Sequence, residues 1–416
     1  MPNVTERTVS TPIATPERLV SIDAYRGVVM FLMMTGIFQL STVASLYSEL
    51  PDASETWKNF WHFLALHWSH VPWTGCTLHD MIQPSFSFLV GVALPFSLAA
   101  RIARGQTRWR MILHAFWRAL VLVFLGVFLR SIGSSETCWT FEDTLSQIGL
   151  GYLFLFAIGW GSRRVQICAF LVILIGYWLS FALYPIGQNV TDTTTQEAKR
   201  GVSIDWKYDA QGFAAHWNKN DNVAWAFDRW FLNLFPRSTP FLCNGGGYST
   251  LSFIPTLATM ILGLLAGNLL RGGGGWIARC GWFVLWGVIC IVAGCALDWS
   301  GLCPIAKRIW TPSWVLFSGG ICLIAMCVFH LIADVAKWKI PFYPFVVIGA
   351  NSIVAYCMAD SGLHHFFSES LHTHFGDRWM FVAGAPYQIL IQSSVILLID
   401  WLILLWMYRR KVFVRI

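Results

Sequence analysis

The segment from residue 67 to residue 80 concentrates side chains that can transfer protons. It reads HWSHVPWTGCTLHD, which places His70 and His79 close to Asp80. A carboxylate that holds one ring nitrogen of a histidine fixes its tautomer, and the other nitrogen can then act as a general base near neutral pH. A lone histidine at a membrane surface is more often structural, but two histidines and an aspartate in one short stretch favour chemistry. His70, His79 and Asp80 are therefore the candidate catalytic residues.

Two arginines lie within apolar stretches. Insertion of an ionisable side chain into the membrane at such a position costs about 2.5 to 3.5 kcal/mol. Arg26 follows Asp23 by three residues near the start of the first stretch, and Arg118 lies about two turns into the third. Arginine forms bidentate contacts with phosphate, so the pair could receive the diphosphate of a large ligand. The alternative is snorkelling, or a structural ion pair between Asp23 and Arg26. Asp400 is a further candidate partner for either arginine.

Two other patterns are too weak to indicate chemistry. The histidine pairs at 364–365 and at 372 and 374 lack the helical i, i+4 spacing and the glutamate of a zinc enzyme motif, so no metal is expected. Gly272 to Gly275 lack the strand, the spacing and the lysine of a phosphate-binding loop. A flexible hairpin is expected there.

Membrane helices must position these residues. Of the 416 residues, 56% are hydrophobic and only 12% are charged, against about 25% charged in an average soluble domain. This composition excludes a disordered chain, a coiled coil and a nucleic-acid-binding domain. Crossing the hydrocarbon core takes about 20 apolar residues. The sequence predicts an all-α integral membrane protein with about ten transmembrane helices, at approximately 25–46, 79–100, 112–132, 145–161, 165–185, 250–270, 276–297, 312–335, 342–360 and 386–408.

Basic residues orient these stretches, because short cytoplasmic loops carry an excess of lysine and arginine. They cluster in alternate loops and in the C-terminal tail, which share one side if both termini are cytoplasmic. The sequence thus predicts an N-in, C-in protein of the plasma (inner) membrane. Residues 1–23 form a cytoplasmic polar tail, and residues 24–416 form a single polytopic domain in the lipid bilayer, with a long external loop at about 186–249.

Four cysteines fall on the predicted external side, namely Cys76, Cys138, Cys243 and Cys303. They permit three complete disulfide pairings, and the sequence does not choose among them. Unpaired thiols at helix ends are the alternative. The other seven cysteines lie in or beside apolar stretches, where cysteine behaves as a small apolar residue.

Six motifs, in a fixed order over nearly the whole chain, carry a resemblance to a known family. The first is RLVSIDAYRG at 18–27, and the second is HVPWTG at 70–75, followed by Asp80, Pro84 and FSFLVG at 86–91. The others are Asp228-Arg229, the segment 247–267, IWTPSWVL at 309–316 and GANSI at 349–353. Together they resemble the heparan-α-glucosaminide N-acetyltransferase family, in a bacterial-type form without the luminal domain that precedes the first span of the animal enzyme.

The resemblance implies an acyltransferase that takes acetyl from cytoplasmic acetyl-CoA and delivers it to an amine or hydroxyl of a glycan on the external side. The family's active-site histidine maps onto His70, which would be a general base or a transiently acetylated nucleophile oriented by Asp80. Arg26, Arg118 and Asn351 are the candidate cofactor-binding residues. Neither a metal nor a nucleic-acid partner is expected, and a homodimer is left open.

The sequence leaves two alternatives open. A transporter or permease for an anionic or lipid-linked sugar would use the same arginines to bind a moving anion. Transporters often contain inverted repeats, and the sequence shows no convincing internal repeat. A non-catalytic family member would keep the fold without the chemistry. Cleavage of a thioester by the purified protein distinguishes the enzyme from both.

Overall fold

The computed structural model describes residues 19–186, 200–203 and 206–414. Within these residues the chain forms helices and no strand. Most of the predicted polar tail, up to residue 18, lies outside the described residues, as do residues 187–199 and 204–205 of the predicted long loop. The first helix already begins at Val20, inside the segment predicted as tail.

Fifteen α-helices occupy the described residues. In chain order they are α1 Val20–Met34, α2 Leu40–Ser48, α3 Glu55–His67, α4 Ile82–Ala103, α5 Arg108–Ser131, α6 Thr144–Gly159, α7 Arg163–Ala182, α8 Val223–Phe231, α9 Phe253–Arg271, α10 Trp276–Trp299, α11 Pro312–Phe329, α12 Tyr343–Ala350, α13 Ser352–Asp360, α14 Leu363–Phe375 and α15 Gln388–Arg409. A π-helical segment, His330–Val335, continues α11.

The long apolar helices coincide with the stretches predicted from the sequence. In the described part of the chain, eight helices are long and apolar enough to cross a membrane, and the bent pair α12 and α13 makes a ninth if it counts as one crossing. The apolar helix α6 is shorter than these. With α6 included, each of the ten predicted stretches corresponds to a helix or a bent pair. The all-α membrane fold is therefore confirmed.

Two stretches differ from the straight spans that the sequence predicts. The first is expected to reach residue 46, but it ends at Phe38. Gln39 then takes a left-handed conformation, with φ of 44°, and the chain continues as the separate helix α2. The ninth is bent by 71° where Asn351 separates α12 from α13. Hydrophobicity averaged over about 20 residues could not show either break, because apolar residues flank both.

Glycines bring α4 and α9 into backbone contact at the centre of the bundle. An added Cβ on Gly91 of α4 would collide with the carbonyl of Met260, and one on Gly263 of α9 would collide with the carbonyl of Phe88. Lipid tails are as apolar as leucine, so membrane helices associate largely through the close packing that such small residues allow. This contact fixes the position of α4, the helix that directly follows the candidate catalytic residue Asp80 and its turn.

Two further glycines join α1 to α12. An added Cβ on Gly27 would collide with the backbone carbonyl of Phe345, and one on Gly349 would collide with the carbonyl of Asp23. The two helices therefore touch through their backbones just before the break at Asn351. As a result Arg26, which directly precedes Gly27, lies next to that break.

Three loops form a cap with an aromatic core at the end of the bundle where α4 begins. Trp73, Trp217 and Ile309 come from different loops and are buried together. The backbone nitrogen of Gly75 also donates a hydrogen bond of 3.0 Å to the carbonyl of Ile305. The cap thus holds the loop of His70 against the loop that precedes α11.

His364 and Asp400 form a buried pair that differs from the sequence prediction. Nε2 of His364 lies 2.8 Å from Oδ2 of Asp400, near the middle of α15. Asp400 thus pairs with His364 and not with Arg26 or Arg118, so the predicted partnership is wrong. The side chain of His364 is only 13% exposed, although it follows the ninth crossing, on the predicted external side.

Candidate functional site

His70 and Asp80 meet where the cap joins α4. Nδ1 of His70 lies 2.7 Å from Oδ1 of Asp80. His70 comes from the loop after α3, and Asp80 from a short 3-10 turn, His79–Met81, that leads into α4. The His70 side chain is 39% exposed, whereas that of Asp80 is 1% exposed. So short a contact with a carboxylate favours the tautomer with its proton on Nδ1, in which the lone pair on Nε2 points away from Asp80.

The second carboxylate oxygen of Asp80 is held by its own loop. Oδ2 accepts hydrogen bonds of 3.2 Å from the backbone nitrogens of Val71 and Thr77. The hydroxyl of Thr77 lies 2.9 Å from the same oxygen and 2.6 Å from the carbonyl of Ser69. These contacts fix the orientation of the carboxylate, which in turn fixes the imidazole of His70.

Lys307 completes this cluster, and its role there was not predicted from the sequence. Its Nζ lies 3.2 Å from Oδ1 of Asp80 and 3.3 Å from Nδ1 of His70. The side chain is 5% exposed, and burial lowers the pKa of its ammonium while the Asp80 carboxylate opposes that shift. One signal was present in the sequence. Lys307 and Arg308 are basic residues in a short loop on the predicted external side, against the usual charge bias.

His79 packs on His70. The centroids of the two rings are 4.7 Å apart, with an angle of 54° between their planes. An added Cβ on Gly36 would lie 3.8 Å from Cε1 of His79, so this ring also borders the end of the first helix. The structure therefore brings His70, His79 and Asp80 together, and the carboxylate contact belongs to His70.

A cavity of about 560 Å³ lies among α1, α4, α5, α6 and the break between α12 and α13. Four arginines contribute to its lining, namely Arg26, Arg101, Arg104 and Arg118. The acidic residue in the lining is Asp23. Such an excess of positive charge in a concave site attracts anionic ligands.

Arg118 and Arg26 are held in different ways. Nη1 of Arg118 donates a hydrogen bond of 3.2 Å to the hydroxyl of Tyr152, and the guanidinium lies over that ring. Nε of Arg118 is buried and has no hydrogen-bond partner among the described residues. A buried donor in this state indicates a group that a ligand or water would satisfy. Nη1 of Arg26 lies 3.8 Å from Oδ1 of Asp23, which is the structural ion pair expected as the alternative to phosphate binding.

Arg101 and Arg104 extend the charged lining towards the turn between α4 and α5. Nη2 of Arg101 lies 2.8 Å from Nε2 of His114, and Nη1 donates a hydrogen bond of 3.2 Å to Gln106. In the sequence, these arginines belong to the basic loop residues that orient the helices. They were not predicted as site residues because they follow the apolar stretch and resemble ordinary loop charges.

Asn351 lies beside the cavity, but its side-chain amide forms hydrogen bonds with the C-terminal tail. Nδ2 donates a hydrogen bond of 3.0 Å to the carbonyl of Val412, and Oδ1 accepts one of 3.1 Å from the nitrogen of Val414. Its neighbours Ala350 and Ser352 line the cavity, as does Val414. Asn351 therefore shapes the wall by holding the tail against the helix break.

The cavity approaches the histidine cluster along α4. The cavity lining on this side begins at Phe86, six residues after Asp80, which is about 9 Å at 1.5 Å per residue. It continues past Ser97 to Arg104, at the end of the helix. The cavity thus follows α4 from near His70 to its arginine-rich end.

Neither a metal cluster nor a disulfide is found in the described part of the chain. No group of three or more histidine, cysteine, aspartate or glutamate side chains there is arranged to hold a metal ion. All eleven cysteines lie in this part, and all are free thiols. For Cys76, Cys138, Cys243 and Cys303 the structure thus agrees with the unpaired alternative.

Over nearly its whole length, the chain is similar to curated N-acetyltransferases. It is 21% identical over 440 residues to heparan-alpha-glucosaminide N-acetyltransferase of Homo sapiens, and this alignment covers 97% of this chain and 60% of the relative. It is 20% identical over 440 residues to the Mus musculus protein of the same name, which covers 96% of this chain and 60% of the relative. The chain thus spans about 60% of the length of these relatives. No protein-family model matches it. The similarity confirms the resemblance that the motifs indicate, and the apolar helices identify a multi-pass membrane protein.

Proposed function

We propose that this protein is a membrane acyltransferase that moves an acetyl group from cytoplasmic acetyl-CoA to an amine or hydroxyl of a glycan on the external side of the plasma (inner) membrane. One observation carries the proposal. A cavity lined by arginines follows α4 and ends about 9 Å along the helix from Asp80, which holds His70. The similarity to the human and mouse N-acetyltransferases supports the same class of reaction.

The arginine end of the cavity fits the phosphates of CoA. In this proposal Arg26 and Arg118 bind the diphosphate, and Arg101 and Arg104 are placed for the 3′-phosphate nearer the turn. The unpartnered Nε of Arg118 supports this assignment, because a phosphate oxygen would satisfy it. Charged hydrogen bonds are also stronger in the lower dielectric of the bundle than in water. CoA supplies the activated thioester, and the chain supplies its binding and orientation.

His70 provides the proton transfer in this proposal. As the acceptor nitrogen or oxygen bonds to the acetyl carbonyl carbon, Nε2 of His70 takes its proton, and the carbon–sulfur bond breaks. The proton then passes to the departing sulfur, so His70 is regenerated. Asp80 stabilises the transient imidazolium. Attack by Nε2 itself, with a short-lived acetyl-imidazole, is the variant of this scheme in which His70 is the nucleophile.

Release of CoA thiol by the purified protein tests the proposal. Acetyl-CoA and a glucosamine acceptor are supplied in detergent, and free thiol is measured against time. We expect His70→Ala to lower the rate by about 10²-fold or more, the usual contribution of a general base. His79→Ala is the matched control and should lower the rate less. Both histidines are only partly buried, so neither change should prevent folding.

Two outcomes would contradict the proposal. The first is a wild-type protein that releases no thiol with amine or hydroxyl acceptors. The second is a His70→Ala protein whose rate stays within about threefold of wild type, well short of the usual effect of losing a general base. In the second case His79 becomes the candidate base.

A transporter for an anionic or lipid-linked sugar is the second candidate, and one observation favours it. The pair α12 and α13 is bent by 71° beside the arginine cavity, and discontinuous helices commonly form the substrate sites of transporters. The thiol-release assay separates the two candidates, because a transporter leaves the thioester intact.

A further inference from the structure

Lys307 is buried at a place where nothing in the loop architecture requires a lysine. Its neighbour Arg308 already anchors the loop, through hydrogen bonds of 3.0 Å to the carbonyl of Val71 and 2.7 Å to that of Gly246. Lysine is almost never fully buried unless it is paired. The Lys307 ammonium contacts Asp80 and His70, so we expect its charge to affect the protonation of that pair.

The charges around His70 balance only when Lys307 is present. The groups that face the ring are the Asp80 carboxylate and the Lys307 ammonium, together with the ring of His79. Arg308 is turned away, towards backbone carbonyls and the ring of Tyr248. A carboxylate and an ammonium sum to zero, so His70 completes a neutral cluster while it carries one proton, on Nδ1.

Loss of the ammonium would leave an uncompensated negative charge at a buried position, which is strongly unfavourable. The pair of Asp80 and His70 would then take up one proton from solvent. The pair then holds two protons. One lies between Nδ1 of His70 and Oδ1 of Asp80, whichever atom it is assigned to, and the added one is on Nε2. In that state Nε2 has no lone pair with which to accept a proton from a substrate.

We propose that Lys307 is a positioning residue which, through Asp80, keeps the lone pair of His70 Nε2 available for proton transfer. The inference rests on the proposed function for its catalytic consequence. The charge balance itself follows from the contacts of the cluster. Lys307 acts through Asp80 and does not itself take part in bond making or breaking.

Nitrogen NMR of ¹⁵N-histidine-labelled protein at pH 7 tests the charge balance without any turnover. The His70 signals are assigned by their loss in His70→Gln. We expect wild type to carry its proton on Nδ1 and none on Nε2, and Lys307→Met to carry a proton on Nε2. Lys307→Arg, which keeps the charge, should retain the wild-type pattern. Lys219→Met is the matched control, because Lys219 is a lysine of the same cap that donates to the carbonyl of Gly245.

The rate of thiol release provides the second readout. Lys307→Met should lower kcat by about tenfold or more at pH 7 while KM for acetyl-CoA stays within about twofold, because the cofactor end of the cavity is untouched. The rate should recover as the pH is raised and the added proton leaves. A merely structural role would instead lower the rate equally at every pH.

Two results would overturn the inference: an Nε2 without a proton in Lys307→Met, or an Nε2 that carries a proton in Lys307→Arg. If Lys307→Met does not fold, the wild-type spectrum still decides, because a proton on Nε2 at pH 7 contradicts the proposed tautomer. The expected nitrogen signals in a protein that releases no thiol would overturn the proposed function and leave the charge balance standing.

Discussion

The guanidinium of Arg118 has a buried donor without a hydrogen-bond partner in the described part of the chain, which favours the binding of an anion. Its contacts are one hydrogen bond to the phenol of Tyr152 and the face of that ring, while Nε is buried without a partner in the described structure. Neither contact neutralises the charge. Arg26, by contrast, already lies beside Asp23. Of the two arginines, Arg118 thus has more to gain from an anionic ligand.

We expect Arg118→Ala to weaken the binding of CoA by at least tenfold. A lost hydrogen bond to a charged group costs about 1.5 to 3 kcal/mol, or roughly 10- to 150-fold in affinity. Arg118→Lys should restore binding only in part, because lysine lacks the planar fork of arginine. Calorimetric titration of CoA into the purified variants measures the effect. Arg164→Ala, a change to an exposed arginine at the start of α7, is the control. Unchanged affinity in both Arg26→Ala and Arg118→Ala would rule out the proposed site.

The sequence could predict the contact between His70 and Asp80 but not that with Lys307. Ten residues separate His70 from Asp80, so a single loop suffices to bring them together. Lys307 lies 227 residues from Asp80 and reaches it only because the cap packs one loop against another. The partner of Asp400 was missed for a similar reason, because His364 lies 36 residues away on another helix and reaches Asp400 only through tertiary packing.

At the scale of helices, the contact between α1 and α12 places Arg26 in the cavity wall. Gly27 and Gly349 are the two positions where these helices touch through their backbones. Arg26 directly precedes Gly27 on α1. On α12, the break at Asn351 lies two residues after Gly349. A change in the spacing of the two helices would therefore move the arginine relative to the break.

We expect Gly27→Ala to destabilise the protein and to weaken CoA binding. The new methyl group would collide with the backbone carbonyl of Phe345, which cannot rotate away, so the helices must separate. Such overpacking typically costs about 1 to 3 kcal/mol. Thermal unfolding in detergent and CoA titration measure the two effects. In the control Gly281→Ala, on α10, the methyl group would meet no atom within 4 Å, and unfolding should occur at the same or a higher temperature. Equal shifts in the two variants would show that the helix contact is unimportant.

The sequence predicts where the helices lie better than how they are interrupted. Hydrophobic length is a property of composition, and it located all ten stretches to within several residues of the helices observed at most ends. The breaks depend on backbone conformation at single positions, Gln39 with its left-handed φ and Asn351 with its tail contacts. Neither residue type at these positions is a strong helix breaker, so the pattern gave no warning.

At the scale of the whole molecule, the two candidate sites lie at opposite ends of one crossing. Asp80 and Arg104 are separated by 24 residues of α4 and its leading turn, about 36 Å at 1.5 Å per residue. The hydrocarbon core of a bilayer is about 30 Å thick. The histidine cluster and the arginine end of the cavity are thus placed near opposite membrane surfaces. This arrangement suits a reaction whose two substrates approach from different sides.

We expect the arginine end of the cavity to face the cytoplasm, as the N-in, C-in topology requires. In intact cells an impermeant thiol reagent should label Ser300→Cys, in the exposed turn after α10, and should label Arg104→Cys only after permeabilisation. The native Cys303 cannot report on its own side because it is fully buried, so an introduced cysteine is needed, and the unsubstituted protein provides the background. Labelling of Arg104→Cys in intact cells would reverse the topology. The arginine end would then face away from cytoplasmic CoA, and the proposed direction of acetyl transfer would be wrong.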